Sequence, residues 1–472
     1  MNSSDSTPPL AAIFVLSAAA LAYEVLLVRL FSIIHWHHFA FMVISIALLG
    51  YGASGSMITV FQRGLLQRYG SVMVFNAVMF GVSAIVCFVA VQRMPFNTLE
   101  ILWDTSQWQR LFMSYLLLTL PFFFVANAIA LTMARFHQRI PQVYGVDLIG
   151  AGTGAVAILI MLQFYPPETV LRIVGLLGIL AGLLAVYHLA RLGRLIVGAL
   201  LALFTVMIVL IPGEWLELQL SEFKGLEQVL LINGSRHLQR DSDAMAQVDV
   251  IESREIPLRN APGMSLLSPA KTPNQLAVFR DGDEMTTIDE HQGSESRAYL
   301  DYLSSALPYQ ITTAPRKVLV LGASTGSELL QAVRHGAREI DATEPEPLLT
   351  RLITEDYADY FGWDHIRDRI RFHTISARGY AASTSEKYSL VVAGLPGSSN
   401  GGAAGVHALA TSYNLTVEAV QAYLNLLEPE GLLSITLWTS SPPRENLRLF
   451  ATVVQALQNN GVESPENRIA WI

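Results

Sequence analysis

The feature that most constrains this 472-residue chain is the series of apolar runs filling its first 212 residues. They lie at roughly 10–34, 39–61, 73–92, 111–133, 146–164, 170–189 and 195–211. About 20 apolar residues in helical form match the ~30 Å hydrocarbon core of a bilayer. A multi-span helical bundle over 1–212 is therefore expected, with seven helices; the tight spacing from 170 to 211 also allows six or eight. The first run is too long for a cleaved leader and has no basic residues before it. Hydrophobic residues make up 52% of the chain and charged residues 15%, and nearly all of the apolar excess precedes Pro212.

Loop charge bears on orientation. Arg63, Arg68, Arg135, Arg139, Arg191 and Arg194 fall in alternate loops, whereas the opposite loops hold Arg93 and Arg110 diluted by Glu100 and Asp104. The positive-inside rule then places the N-terminus in the cytoplasm of a multi-pass protein of the inner (plasma) membrane. With seven spans the C-terminal half lies outside, and one span more or fewer reverses that side.

Several ionisable groups sit in or beside the runs. Glu24 and Arg29 occur in "YEVLLVRLF", three histidines in "HWHH" at 35–38, and Asp147 in "YGVDLIGAGTGA". Charge inside a membrane is costly, so such groups pair or face a cavity. The plainer expectation is that Glu24, Arg29 and Asp147 make interhelical polar pairs; the alternative is a cation or proton site. The histidines lack helical i, i+4 spacing, so an interfacial cluster is expected in place of a metal site. "GAGTGA" (Gly150 to Ala155) resembles a phosphate loop only as a string, and its small residues suit close helix packing.

From Gly213 onward the composition is that of a soluble globular protein. Residues 213–314 read as a small β-rich subdomain, with strands in "AQVDVIES" and "QLAVFRDGDEMTTI", a loop over 254–274 and a helix in "SESRAYLDYLSSAL". Residues 315–472 alternate strand and helix: "KVLVLG", "EIDATE", "RIRFHT", "YSLVVAG" and "GLLSITLW" are the strands. Continuous apolar runs such as "KVLVLG" suit strands buried on both faces, which implies a doubly wound parallel sheet, an α/β Rossmann domain. The turn "GASTG" between the first strand and its helix carries Gly322 and Gly326, and Glu344 follows 22 residues after Gly322 at the end of the second strand. Glycines let backbone approach a ligand, helix N-termini offer free N–H groups, and a carboxylate there can accept from a ribose diol. The alternative is a tight turn beside an empty cleft.

The only cysteine, Cys87, lies in an apolar run, which excludes disulfides and Cys-based zinc sites. Net charge is −8 without a basic run, so no nucleic-acid partner is expected.

With these residues in view, the soluble half resembles the spermidine synthase family (polyamine aminopropyltransferases), which pairs a small β-rich domain with a methyltransferase-like Rossmann fold. The whole chain is similar to that family's membrane-fused bacterial branch, whose first span commonly carries a "YEV…VRL" string as at Tyr23–Leu30. The resemblance implies decarboxylated S-adenosylmethionine or a related nucleoside as ligand, a small amine as second substrate, and no metal. It places Gly322, Ser324, Gly326, Glu344, Ser376 and Ala377 at the nucleoside, and Tyr299 and Asp281 at the amine. It leaves the catalytic residue unassigned, because the chain departs from the family pattern. "RDGDEM" has Met285 where the family's "LDGxxQ" has its glutamine. "ISA" puts Ser376 where an aspartate would meet the adenine, and "GLPGS" puts Gly394 and Gly397 where the membrane branch's "DLPDP" has aspartates.

Those aspartates matter because the attacking amine is protonated at neutral pH and needs a carboxylate to bind it and take its proton. The following loop "GSSNGGAAG" offers no charge, although Asp283, Glu284 and Asp301 are carboxylates elsewhere. The expected function is thus an integral membrane spermidine synthase-like protein with a degenerate transferase site, binding a nucleoside-type ligand or a protein partner, which could be a second copy of the chain. The alternatives are an active membrane-bound aminopropyltransferase and a transporter or sensor of a cationic solute.

Overall fold

The computed structural model of the chain describes residues 7–34, 39–94, 100, 103–186, 191–222, 224–293, 295–312, 315–394, 413–439 and 441–472. The "HWHH" cluster, and "GLPGS" from Leu395 onward with the glycine-rich loop behind it, lie outside the described residues. The chain divides into two compact units, Met1–Glu222 with Ser242–Met245, and Phe223–Asp241 with Ala246–Ile472.

The first unit is helical: α1 Leu10–Ile34, α2 Phe39–Gln67, α3 Tyr69–Gln92, α4 Thr105–Arg135, α5 Ile140–Leu162, α6 Pro167–Ala185 and α7 Arg191–Val209. Among the described residues six helices are long and apolar enough to cross a membrane. The seventh run of the sequence also forms a helix, α7, of 19 residues, the same length as α6. Helix α1 is the hub, with buried residues all round it. Outward-facing Val60, Phe61, Phe112 and Ile160 are apolar and exposed, as a lipid-facing surface requires.

Close approach of α1 and α5 explains "GAGTGA". A Cβ on Gly154 would stand 2.0 Å from the carbonyl oxygen of Ala18, and one on Gly150 2.6 Å from that of Phe14. The string is helix packing, in the small-xxx-small manner of membrane helices. One turn away Asp147 accepts a 2.5 Å hydrogen bond from Ser17 of α1. Arg29 donates to Ser32 on its own helix at 3.1 Å. Asp147 thus makes an interhelical polar contact through Ser17. Ser54 of α2 donates to Asn127 of α4 at 3.1 Å in the same manner.

The second unit contains two sheets. The small one has strand order β1-β2-β3-β4, with β1 Ser235–Ser242, β2 Gln247–Ser253, β3 Gln275–Arg280 and β4 Asp283–Asp289. Strands β2, β3 and β4 pair antiparallel. Strand β1 went unforeseen because "SRHLQRDS" is polar but for Leu238 and shows no alternation. The large sheet has order β7-β6-β5-β8-β9, with β5 Lys317–Leu321, β6 Glu339–Thr343, β7 Ile370–His373, β8 Tyr388–Gly394 and β9 Leu427–Thr436. All four of its pairings are parallel. Val318, Leu319 and Val320 are each 0% exposed, because alternate residues feed separate cores on the two faces. This is the doubly wound arrangement, with the strand order reversing between β5 and β8.

Two local expectations change. Residues 295–306 form 3-10 turns, Glu295–Tyr302 and Ser304–Ala306, where an α-helix was expected. Backbone bonds from Ser265 to Tyr302 (2.8 Å) and from Ser304 to Gly263 (3.0 Å) tie this segment to the neighbouring loop and hold it off the α-helical path. The helix that the strand–helix alternation implies between β6 and β7 is broken by a π-helical turn, Leu352–Asp356, between Pro347–Arg351 and Ala358–Phe361.

Candidate functional site

The carboxyl ends of β5, β6 and β8 meet where the strand order reverses, the position at which open α/β sheets bind ligands. Strand β5 leads into the glycine turn and then the helix Ser327–Arg334. The turn is built from left-handed residues: φ is +78° at Gly322, +48° at Ser324 and +93° at Gly326. Its two glycines have different tasks. A Cβ on Gly322 would meet nothing within 4 Å, so this backbone faces open space, whereas one on Gly326 would strike the Phe361 ring at 2.6 Å. Gly322 leaves room for a ligand, and Gly326 leaves room for the core.

Glu344 closes the turn. Its carboxylate accepts from the backbone N–H of Ser324 at 2.8 Å and of Glu346 at 3.0 Å. Burial pushes its carboxyl above the ordinary range, while those two N–H groups and nearby Arg280 pull it back toward the charged form. Each carboxylate oxygen accepts one of these bonds and retains a lone pair for a further donor such as a ribose hydroxyl. Burial opposes the charge on the Arg280 guanidinium, but the carboxylates around it, Glu284, Asp281 and Glu344, outweigh that and keep it firmly protonated. Composition did not single out Arg280; the hairpin β3–β4 carries it there, and Thr325 of the turn donates to the Thr287 carbonyl of β4 at 2.8 Å.

The other sequence-derived residues are placed as follows. Asp281 and Gly282 are the two-residue loop of the β3–β4 hairpin, with φ of +51° and +70°, the primed turn that Asp-Gly favours. The Asp281 carboxylate accepts from the Gln247 N–H at 2.8 Å, and its carbonyl accepts from Lys224 at 2.8 Å. Tyr299 is buried, and its hydroxyl donates to Asp289, which also accepts from Gln275 at 2.9 Å. Ser376 is exposed and caps the helix Ala377–Ser383, accepting from the Gly379 N–H at 3.2 Å, and Ala377 is buried beneath it. The turn and Glu344 are thus in contact, while Asp281, Tyr299 and Ser376 each have local protein partners.

Carboxylates decide what chemistry the cleft can support. Glu284 is ion-paired with Arg280, and Asp301 accepts from Arg334 at 2.6 Å. Asp283 is buried at the hairpin, its carboxyl pushed up by that burial with Lys224 pulling the other way. The carboxylate that escaped notice is Glu328, in the first turn of the helix after the glycine turn. A Cβ on Gly394 at the end of β8 would stand 2.4 Å from Oε1 of Glu328. Burial lifts the Glu328 carboxyl to about 7. No spacing rule links residues 328 and 394. Only the parallel register of β5 with β8, Val320 opposite Val392, brings their neighbourhoods together.

Among the described residues no group of three or more potential metal ligands is present. No protein-family model matches the sequence, and neither does any curated protein. Solved structures of spermidine synthase are similar to it. One, in complex with the transition-state analogue AdoDATO, is 16% identical over 47% of this chain and 63% of its own, with a TM-score of 0.33. The spermidine synthase of Thermotoga maritima is 16% identical over 48% of this chain and 63% of its own, with a TM-score of 0.32. This chain thus spans less than two thirds of the length of those enzymes.

Proposed function

We propose that this chain is a multi-pass membrane protein, of spermidine synthase-like ancestry, whose α/β unit binds a nucleoside of the S-adenosyl type at the glycine turn. The observation that carries the reading is the Glu344 carboxylate, held by two backbone N–H groups at the strand-order reversal beside the open face of Gly322. Oriented in this way, it can receive a ribose diol without rearrangement of the turn. Decarboxylated S-adenosylmethionine fits the ribose half of the cleft through Gly322, Ser324 and Glu344. The adenine half offers Ser376, a hydroxyl already engaged in capping, so the fit there is poorer.

The same residues favour a degenerate transferase over an active one. Met285, Ser376 and Gly394 replace groups on which aminopropyl transfer depends in the family that the chain resembles. The membrane would be the inner one, with the α/β unit outside if α7 completes a seventh crossing.

Titration calorimetry on the full-length, detergent-solubilised protein tests the reading. Methylthioadenosine should release heat with saturable stoichiometry, and Gly322→Ala, which puts a methyl group into the open space of the cleft, should abolish it. Absence of heat from the unaltered protein at millimolar nucleoside would overturn the proposal.

A further inference from the structure

The sequence lacks a carboxylate at position 394, but the folded chain has one in contact with that position. Gly394 is the last residue of β8, and Gly322 is the first residue after β5. The β5–β8 register, Val318 opposite Leu390 and Val320 opposite Val392, continued by two residues, sets Gly322 beside Gly394. The side chain of Glu328 fills the space that a side chain at 394 would take: a Cβ there would lie 2.4 Å from its Oε1 and 2.7 Å from both its Cδ and Cγ. Glycine at 394 and glutamate at 328 are therefore sterically linked. The first makes room for the second.

Three observations mark this carboxylate as unlike the others nearby. Asp301 and Glu284 are bound by arginines, whereas among the described residues no hydrogen bond or ion pair reaches the Glu328 carboxylate. Its charge is felt by Tyr309, whose hydroxyl is buried and has no hydrogen-bond partner among the described residues. Tyr309 itself is held in place by stacking on His335, with centroids 5.0 Å apart. A carboxylate without a cation, at the edge of a cleft where ligands bind, is costly to keep charged unless a cation comes to it.

We infer that Glu328 is the cation-binding carboxylate of this cleft, receiving the ammonium arm of an aminoalkyl nucleoside or the amine that accompanies it, in the place vacated at Gly394. The inference rests on the nucleoside reading above and extends it from the ribose to the charged end of the ligand. Glu328 acts here by direct contact with the cation.

The test compares a neutral and a cationic nucleoside on the full-length protein. Methylthioadenosine lacks the ammonium arm that decarboxylated S-adenosylmethionine carries. Glu328→Gln should leave methylthioadenosine affinity unchanged and weaken the cationic nucleoside by about 10- to 100-fold, the usual worth of a charged hydrogen bond. Glu328→Ala/Gly394→Asp moves the carboxylate back onto β8 and should restore most of the loss, because β8 is extended at 394 and the truncated side chain at 328 leaves room. If both nucleosides bind the unaltered protein and Glu328→Gln weakens neither, Glu328 has no such role although the nucleoside reading stands. If neither binds, the nucleoside reading falls and takes this inference with it.

Discussion

The Glu328 carboxylate lies so close to Gly394 that a Cβ on the glycine would come within 2.4 Å of its Oε1. The atoms are those of a side-chain tip, so the contact can give, but only if the Glu328 carboxyl moves aside. Gly394→Ala should destabilise the protein by about 1–3 kcal/mol, the usual range for overpacking. In a Glu328→Ala background the same change should cost almost nothing. The coupling is read from thermal melts of the four proteins as a double-mutant cycle; equal effects in both backgrounds would mean that the two residues do not share this space.

Stability should depend on pH through Glu328. Its carboxyl titrates near 4.5 ordinarily and at about 7 when folded. Between those values the folded chain holds a proton that the unfolded chain has released, so this contribution is full below pH 4.5 and is lost as pH rises toward 7. The change is no more than about 3 kcal/mol for such a shift. Glu328→Gln should flatten the melting-temperature profile from pH 5 to 7, and an unaltered slope would show that other groups set it.

Aminopropyl transfer from decarboxylated S-adenosylmethionine to putrescine should be absent or very weak. The carboxylate at the end of β8 is replaced by one from another element, Glu328, and loss of a correctly placed general base costs about 10²–10⁴ in rate; the lost adenine contact at Ser376 adds to it. Product formation followed by chromatography is the measurement. Robust turnover that vanishes in Glu344→Ala would show an intact active site and overturn the degenerate reading.

The side on which the α/β unit lies depends on α7. A reporter active only outside the cytoplasm, fused after Ile472, should give signal if α7 crosses the membrane and the N-terminus is cytoplasmic, as the loop arginines imply. A cytoplasmic reporter that lights up in its place would mean that α7 does not complete a crossing. It would also put the cleft where S-adenosyl compounds are made.

Much of the architecture was legible in the residues because it depends on local patterns. The apolar runs, the strand "KVLVLG", the turn glycines and Glu344 each announce themselves within a short window, since backbone burial on both faces or a left-handed φ restricts which residues can stand there. Boundaries were harder where chain ties compete with propensity, as in the 3-10 turns of 295–306. The different tasks of Gly322 and Gly326 were hidden as well. Both permit positive φ, and only the packing of Phe361 tells which one faces the core.

Read along the chain, the residues specify a helical half with runs long and apolar enough to span a membrane, a parallel α/β half, and the lack of a carboxylate at the end of β8. That another carboxylate takes that space follows from the packing. Residues 328 and 394 belong to different elements, and no periodicity along the chain relates them. They meet because parallel pairing of β5 and β8 brings the helix start after one strand against the end of the other, and because glycine, having no side chain, lets the neighbour's glutamate in.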